Sequence, residues 1–394
     1  MEQLFQVVGT CPQSAARAGI LATPHGRVPT PAFLPVGSQG TVKTLTPDEL
    51  RTLGATVILA NTYHLYLRPG VEVIQELGGL HRFMDWDGPL LTDSGGFQIF
   101  SLGHLRRISD EGVLFRSHLD GSEHFLTPER VTELQEELGA DIIMAFDECP
   151  PYSHDLGAIR QATERTHRWA RRCLERHRRP HQALFGIVQG GIFAELRRYS
   201  AGFIASLDFP GYALGGLSLG EPKEMMHATI EHTLPLLPEG RPRYLMGVGS
   251  PEDLVECVAR GIDMFDSALP TRVARNGGLF TRQGRRSILN SCFQRWEGAI
   301  DPACDCYTCA HFSAAYLHHL FKCEELLAYR LATIHNLRFV IRLIEDIRRS
   351  ILDGSFLTFS EEFLGHYQPT DAEARAEQKR KWLESRRRKQ LPDG

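Results

Sequence analysis

Three groups of residues in this chain of 394 could do chemistry. The first centres on an acid. The apolar segment Ile262–Phe265 runs into Asp266, and the loop beyond it carries Pro270, Arg272, Arg275, Asn276, Gly277 and Gly278. A carboxylate at a strand's end, followed by arginines and a glycine pair, suits a nucleophile or an acid/base group beside an anion-binding loop. A helix N-cap followed by solvated arginines would read the same way over this stretch, because Asp is a common cap. The second group is scattered: Asp93, Asp147, Gln189 and the pair Gly215–Gly216 each follow an apolar segment of their own. The third is compact. Cys304, Cys306 and Cys309 form C-x-C-x2-C, with His335 after 25 intervening residues. Three thiolates and an imidazole make a closed tetrahedral zinc shell, the composition of a structural site with no open catalytic position. His311, His318 and His319 compete with His335 for the fourth place.

The elements that must position these residues follow a rhythm. After antiparallel strands over Phe5–Pro35, apolar strands are expected at Thr30–Val36, Thr56–Ala60, Pro89–Thr92, Asp141–Phe146, Leu184–Val188, Gly211–Leu214, Tyr244–Gly247 and Ile262–Phe265. Helical segments alternate with them, two announced by caps: Thr46 before Pro47, and Thr127 before Pro128. A hairpin-like insertion over Phe100–Phe125, turning at Asp110–Gly112 and Asp120–Gly121, breaks the rhythm. Short, continuously apolar strands belong to a parallel sheet covered on both faces. Eight such units over about 250 residues have the size of a (β/α)8 barrel. The alternative, a doubly wound sheet, would usually carry a glycine fingerprint after its first strand, and none is present. In a barrel every strand's C-terminal end faces one mouth, so Asp93, Asp147, Gln189, Gly216 and Asp266 should converge.

Composition narrows the class. With 42% hydrophobic and 23% charged residues the chain is an ordinary globular protein. No apolar run reaches the length of a membrane span, and Met1–Thr10 does not read as a signal peptide, so no membrane partner is expected. Nine cysteines, an odd number, favour a reducing, cytoplasmic setting over a disulfide framework. A net charge of −4 does not mark a nucleic-acid binder. Basic runs at Arg160–His181 and Gln378–Gln390 permit a polyanion locally, although such runs are more often solvated faces.

Seven longer segments carry a resemblance. TDSGGFQ at Thr92–Gln98, MAFDECPP at Met144–Pro151, FGIVQGG at Phe185–Gly191, YALGGLSLGE at Tyr212–Glu221, YLMGVGSPEDL at Tyr244–Leu254, FDSALPTR at Phe265–Arg272 and the CDCYTC run resemble the bacterial, queuosine-forming tRNA-guanine transglycosylases, over roughly Phe5 to Tyr367. The resemblance implies a modified (β/α)8 TIM barrel over 1–370, with a zinc-binding subdomain inserted near the eighth unit over 290–350 and a charged, disordered tail over 371–394. It implies exchange of guanine at the anticodon wobble position of tRNAs for Asp, Asn, His and Tyr for a 7-deazaguanine. Double displacement at ribose C1′ would make Asp266 the nucleophile and Asp93 the general acid/base, as in retaining glycosidases. Asp147, Gln189 and the backbone of Gly216 and Leu217 would line the edges of the base, and Phe97 and Met246 its faces. Glycines at Gly95–Gly96 and Gly215–Gly216 let backbone approach the ligand. Arg272, Arg275 and Asn276 are the candidates for anticodon-loop contacts, with Arg282, Arg285 and Arg286 behind them. Cys304, Cys306, Cys309 and His335 would hold one structural Zn2+, and Phe312, Tyr316, His319 and Phe83 match an aromatic homodimer patch.

The chain departs from the family's pattern in places. Ser267–Ala268 replaces Cys-Val after the nucleophile, and Ser218–Leu219 stands where Ala-Val is usual, beside the expected 7-substituent of the base. The incoming base, 7-aminomethyl-7-deazaguanine or queuine, is therefore left open. Phe97 stands where Tyr is common and keeps the stacking face without the hydroxyl. Three other readings compete. An archaeal-branch enzyme would carry added C-terminal RNA-binding domains. A catalytically silent partner subunit would lack the acids Asp93 and Asp266. A metal-dependent hydrolase would need histidines around an open site, whereas the strand ends here offer acids, Gln and Gly.

Overall fold

The computed structural model describes residues 4–102 and 106–369. Eight parallel strands pair in chain order: β1 (Ala32–Gly37), β2 (Ile58–Asn61), β3 (Leu90–Asp93), β4 (Ile142–Met144), β5 (Ala183–Val188), β6 (Tyr212–Leu214), β7 (Arg243–Leu245) and β8 (Met264–Ser267). The barrel closes where β8 pairs with β1, from Met264 opposite Ala32 to Ser267 opposite Pro35. Inward-facing Leu34, Leu59, Leu91, Phe185, Ile187 and Met264 fill the interior, so the barrel is a packed core and not a channel. An antiparallel sheet of Phe5–Thr10, Arg17–Thr23 and Gly26–Thr30 adds Phe5, Leu21 and Val28 to that interior. It lies at the end where strands begin: Arg17 pairs with Asp263, just before β8, at 2.6 Å, and His25 meets Asp141, just before β4, at 2.7 Å.

Both predicted caps form. Thr46 and Glu49 make a reciprocal capping box with Pro47 in the first turn, and the Thr127 side chain accepts from the Arg130 amide. Several bounds shift: β4 ends at Met144, not Phe146, and β7 runs Arg243–Leu245, not Tyr244–Gly247. The last strand covers Met264–Ser267, not Ile262–Phe265; Asp263, just before it, still donates its N–H to the Arg243 carbonyl at 2.9 Å and accepts from the Ala32 amide at 2.8 Å while its side chain holds Arg17, and Asp266 lies inside the ladder opposite Leu34. The insertion is a three-stranded sheet (Arg106–Ile108, Val113–Arg116, Glu123–Leu126), and Phe100 belongs to a preceding helix, Gly96–Leu102. That helix starts directly after Gly95, whose φ of +76° turns the chain out of β3.

After β8, a helix Leu269–Arg275 leads to the hairpin Gly278–Thr281/Gly284–Ser287 and four α-helices, Tyr307–His311, Ala314–Lys322, Leu326–Asp353 and Phe356–His366. The chain breaks between Ala314–Lys322 and Leu326–Asp353 at Glu324, which has φ +55°. Leu279, Ile288, Phe293, Leu317, Leu320 and Leu331 give this region a core of its own. Among the described residues no helix is long and apolar enough to cross a membrane. The charged segment 371–394 lies outside the described residues.

Candidate active site

The mouth at the strands' C-terminal ends gathers the acids. Asp93 closes β3 and Asp266 lies in β8; Asp93 is buried and feels the Asp266 charge, and Asp266 is half-buried. Asp93 is buried and held on both oxygens. Oδ1 accepts from the Thr62 amide at 3.0 Å; Oδ2 accepts from Asn61 Nδ2 and from Gln98 Nε2, the latter at 3.1 Å. These donors favour the ionised form, but burial and the Asp266 charge outweigh them and push Asp93 up to about 7. Burial likewise raises Asp266, opposed by two donors to its Oδ1: the Tyr244 hydroxyl at 2.5 Å and the Gly247 amide at 2.9 Å. Burial, with the Asp266 charge added, lifts Tyr244 well above its usual range, so this hydroxyl stays a donor.

Asp266 is no helix cap. The helix after it starts from Ala268, and the Ser267 hydroxyl accepts from the Leu269 amide at 3.1 Å. That leaves the carboxylate available to a ligand and accounts for a serine at position 267.

A second polar set lies on the neighbouring strands. Asp147, after β4, accepts from Gln189 Nε2 at 2.7 Å and from Ser94 Oγ at 3.4 Å; burial nevertheless raises it to about 6. The Gln189 carbonyl oxygen is buried without a protein partner, an acceptor whose missing donor a ligand could supply. Gly216 lies against this amide with φ +69°, and a Cβ there would meet Gln189 Oε1 at 2.4 Å. Gly96 is equally restricted, its would-be Cβ falling 2.7 Å from the Asp147 carbonyl. Phe97 follows on the next helix, 47% exposed, and Met246 follows β7 half-buried. Leu217 turns its side chain into the main core, so only its backbone can face the mouth.

The thiol cluster assembles. Ligand atoms of Cys304, Cys306, Cys309 and His335 all lie within 4.8 Å of one another. His335 Nε2 donates to the Phe280 carbonyl at 2.7 Å, which leaves Nδ1 toward the thiols, 3.3 Å from Cys309 Sγ and 3.6 Å from Cys306 Sγ. The competing histidines are elsewhere: Nδ1 of His318 meets the Ile288 carbonyl, that of His311 the Tyr307 carbonyl, and His319 lies by Cys323. Four soft-to-borderline donors with a fixed imidazole tautomer fit a tetrahedral zinc ion. His25, His81 and Asp141 also approach one another at the opposite end of the barrel. Their imidazoles are stacked, centroids 3.6 Å apart and 21° from parallel, so one ion cannot lie in both ring planes, and the cluster reads as a hydrogen-bonded one.

Of the anion-binding candidates, Arg272 is exposed, Arg275 is half-buried with Nη1 on the Thr271 carbonyl at 3.0 Å, and Asn276 donates to the Arg272 carbonyl at 2.9 Å. The arginines of the basic helix Leu156–Arg176 are largely neutralised: Arg165 and Arg168 pair with Asp110, Arg172 with Glu129, and Arg176 with Glu133. Sequence reasoning missed Ser94, Gln98, Asn61 and Tyr244 as parts of the site. The first two lie inside the TDSGGFQ segment and Asn61 at a strand end, positions that could have flagged them; Tyr244 reads only as an aromatic strand residue.

Comparison with known proteins gives one answer. Residues 11–369 match the family described as Queuine tRNA-ribosyltransferase. A protein of that name from Dehalococcoides mccartyi strain 195 is 57% identical over 386 residues, 98% of each chain. One from Pelotomaculum thermopropionicum is 60% identical over 90% of this chain and 96% of its own, and one from Geobacillus kaustophilus 57% over 92% and 96%. At such identity across nearly the whole length, the chain belongs to the queuine tRNA-ribosyltransferase family.

Proposed function

We propose that this enzyme exchanges guanine at the wobble position of tRNAs for Asp, Asn, His and Tyr for a 7-deazaguanine, through a covalent enzyme–ribose intermediate. The observation that carries the reading is the Asp93/Asp266 pair at one barrel mouth, a buried carboxylate and a half-buried one whose charge raises it. Asp266 attacks ribose C1′ as the C1′–N9 bond breaks. Tyr244 and Gly247 fix the carboxylate through one oxygen, leaving the other to form the ester bond. Asp93, poised at about 7, gives a proton to the departing guanine and takes one from the incoming base, which then displaces Asp266. Asp147 accepts from the ring N–H and the exocyclic amine. Gln189 and the Gly216 amide serve the carbonyl edge, the Leu217 backbone lies alongside, and Phe97 and Met246 cover the ring faces. Arg272, Arg275 and Asn276 approach the anticodon loop.

The incoming base is 7-aminomethyl-7-deazaguanine. Leu219 packs partly against the core beside the expected 7-substituent and favours the smaller group. Queuine is the second reading, supported by the printed name of the relatives. Cys304, Cys306, Cys309 and His335 would hold one zinc ion per chain, whose contribution is to staple the segment after β8. We read 1–370 as the catalytic barrel with 290–350 as its zinc subdomain, working in the cytoplasm as a homodimer. An aromatic patch supports the dimer: Phe312 and Tyr316 stack at 5.5 Å, and Tyr316, His319 and Phe83 are exposed.

A denaturing gel of enzyme mixed with wobble-G tRNA tests the mechanism. Wild type should give a covalent protein–tRNA band, and Asp266→Asn should bind tRNA without one. An equally strong band from the variant would remove Asp266 as nucleophile.

A further inference from the structure

Arg197, in the helix Ala194–Ser206, is 0% exposed. Its guanidinium donates to three main-chain carbonyls: Nη1 to Val188 at 2.8 Å, Nε to Gly191 at 2.7 Å and Nη2 to Gly215 at 2.8 Å. No carboxylate among the described residues forms an ion pair with it; Glu221 acts on it only through charge. Cys149, the other group that acts on it, is a neutral thiol near pH 7, since burial raises it to about 12. Burial lowers Arg197 to about 10, which still leaves it charged at neutrality. An unpaired buried cation is costly to keep.

The three carbonyls show what it holds. Val188 and Gly191 bracket Gln189, and Gly215 shares a peptide plane with the amide of Gly216. In a trans peptide the C=O and N–H point to opposite sides. A Gly215 carbonyl fixed on Arg197 therefore turns the Gly216 N–H away from the guanidinium, toward the Cys149 sulfur, which accepts from it beside Asp147 and Gln189; a substrate oxygen would take this donor over. Gly216, at φ +69°, has no side chain to restrain this plane, so the anchor must come from outside the loop. The Val188–Gln189 peptide is fixed at both ends as well, its carbonyl on Arg197 and its N–H on Ser200 Oγ at 3.1 Å.

We infer that Arg197 is a positioning residue for base selection: by holding the Gly215 carbonyl it aims the Gly216 amide at the carbonyl oxygen of the purine-like substrate. The inference rests on the base-exchange reading above. Its test compares two incoming bases, 7-aminomethyl-7-deazaguanine and the same ring lacking the 6-oxo group, with wild type, Arg197→Lys and Arg197→Met. For the 6-oxo base, KM should rise at least 10-fold in Arg197→Lys and further in Arg197→Met, with tRNA Kd changed less than twofold. For the base without the oxygen, KM should be nearly the same in all three proteins, because the aimed donor has nothing to meet. Equal KM increases for both bases, or no increase for either, would overturn the assignment. If Arg197→Met does not fold, Arg197→Lys, which keeps the charge, is read by the same two-base comparison. Wild type that exchanges no base at all would instead overturn the reading on which the inference depends.

Discussion

Asp93 shows how strongly the surroundings of one side chain set its hold on a proton. Three donors reach it, and burial with the Asp266 charge still holds it near 7, where a group can both give and take a proton. Asp93→Asn should lower base exchange by about 10²–10⁴-fold, the usual contribution of such a group, while tRNA binding persists. Stability should move the other way. The folded value of about 7 lies above the ordinary 3.8, so between those values the unfolded chain holds fewer protons than the folded one. Wild-type stability therefore declines as pH rises through that window, and the unfolding free energy of Asp93→Asn should gain on wild type between pH 4 and pH 7, by roughly 1.4 kcal/mol per pH unit at most. A difference that stays constant with pH would contradict the raised value. Tyr244→Phe removes a hydrogen bond to a charged group, worth about 1.5–3 kcal/mol, so exchange should fall about 10–100-fold with the fold intact. Nothing in the sequence distinguished Tyr244 from its apolar neighbours, because its role depends on the registry of β7 against β8, a tertiary fact.

At the level of elements, the strands that end in acids were legible because a covered parallel sheet leaves long apolar runs whose interruption is conspicuous. Boundaries were less so. Asp263 and Asp266 look alike in the chain, yet one is paired with Arg17 at the strands' entry and the other faces the mouth at their exit. Only the partner, 246 residues away, separates them. The thiol cluster was legible from spacing, and its choice of histidine was not, since that depends on which ring the long helix Leu326–Asp353 turns inward. The same helix links the cluster to the loop after Asp266. Asn336, beside His335, donates to the Pro270 and Gly278 carbonyls and accepts from the Phe280 amide, spanning the arginine loop after Asp266. We expect one zinc per chain by metal analysis of fresh protein. Its removal by a chelator should lower the melting temperature and weaken tRNA binding together, because the staple and the loop share Asn336. Less than half an equivalent of zinc would count against the site.

Over the whole molecule, the two ends of the barrel divide the work. The entry end is closed by the N-terminal sheet and its ion pairs, the exit end holds the acids, and the region after β8 flanks the exit. Charge follows the same division, and here composition misled: the basic helix is dense in arginine but its charges are spent on Asp110, Glu129 and Glu133, whereas Arg272 is exposed beside the mouth. Arg168→Glu should leave tRNA affinity nearly unchanged. Arg272→Glu should weaken it and flatten its salt dependence by about one unit of slope, as loss of one phosphate contact does. The most direct test of the account is incorporation of labelled guanine into an unmodified tRNA with a wobble guanine, with unlabelled 7-aminomethyl-7-deazaguanine and queuine added separately as competitors. The account predicts incorporation at that one position, suppressed more strongly by 7-aminomethyl-7-deazaguanine; tRNA that binds normally yet takes up no label would contradict it.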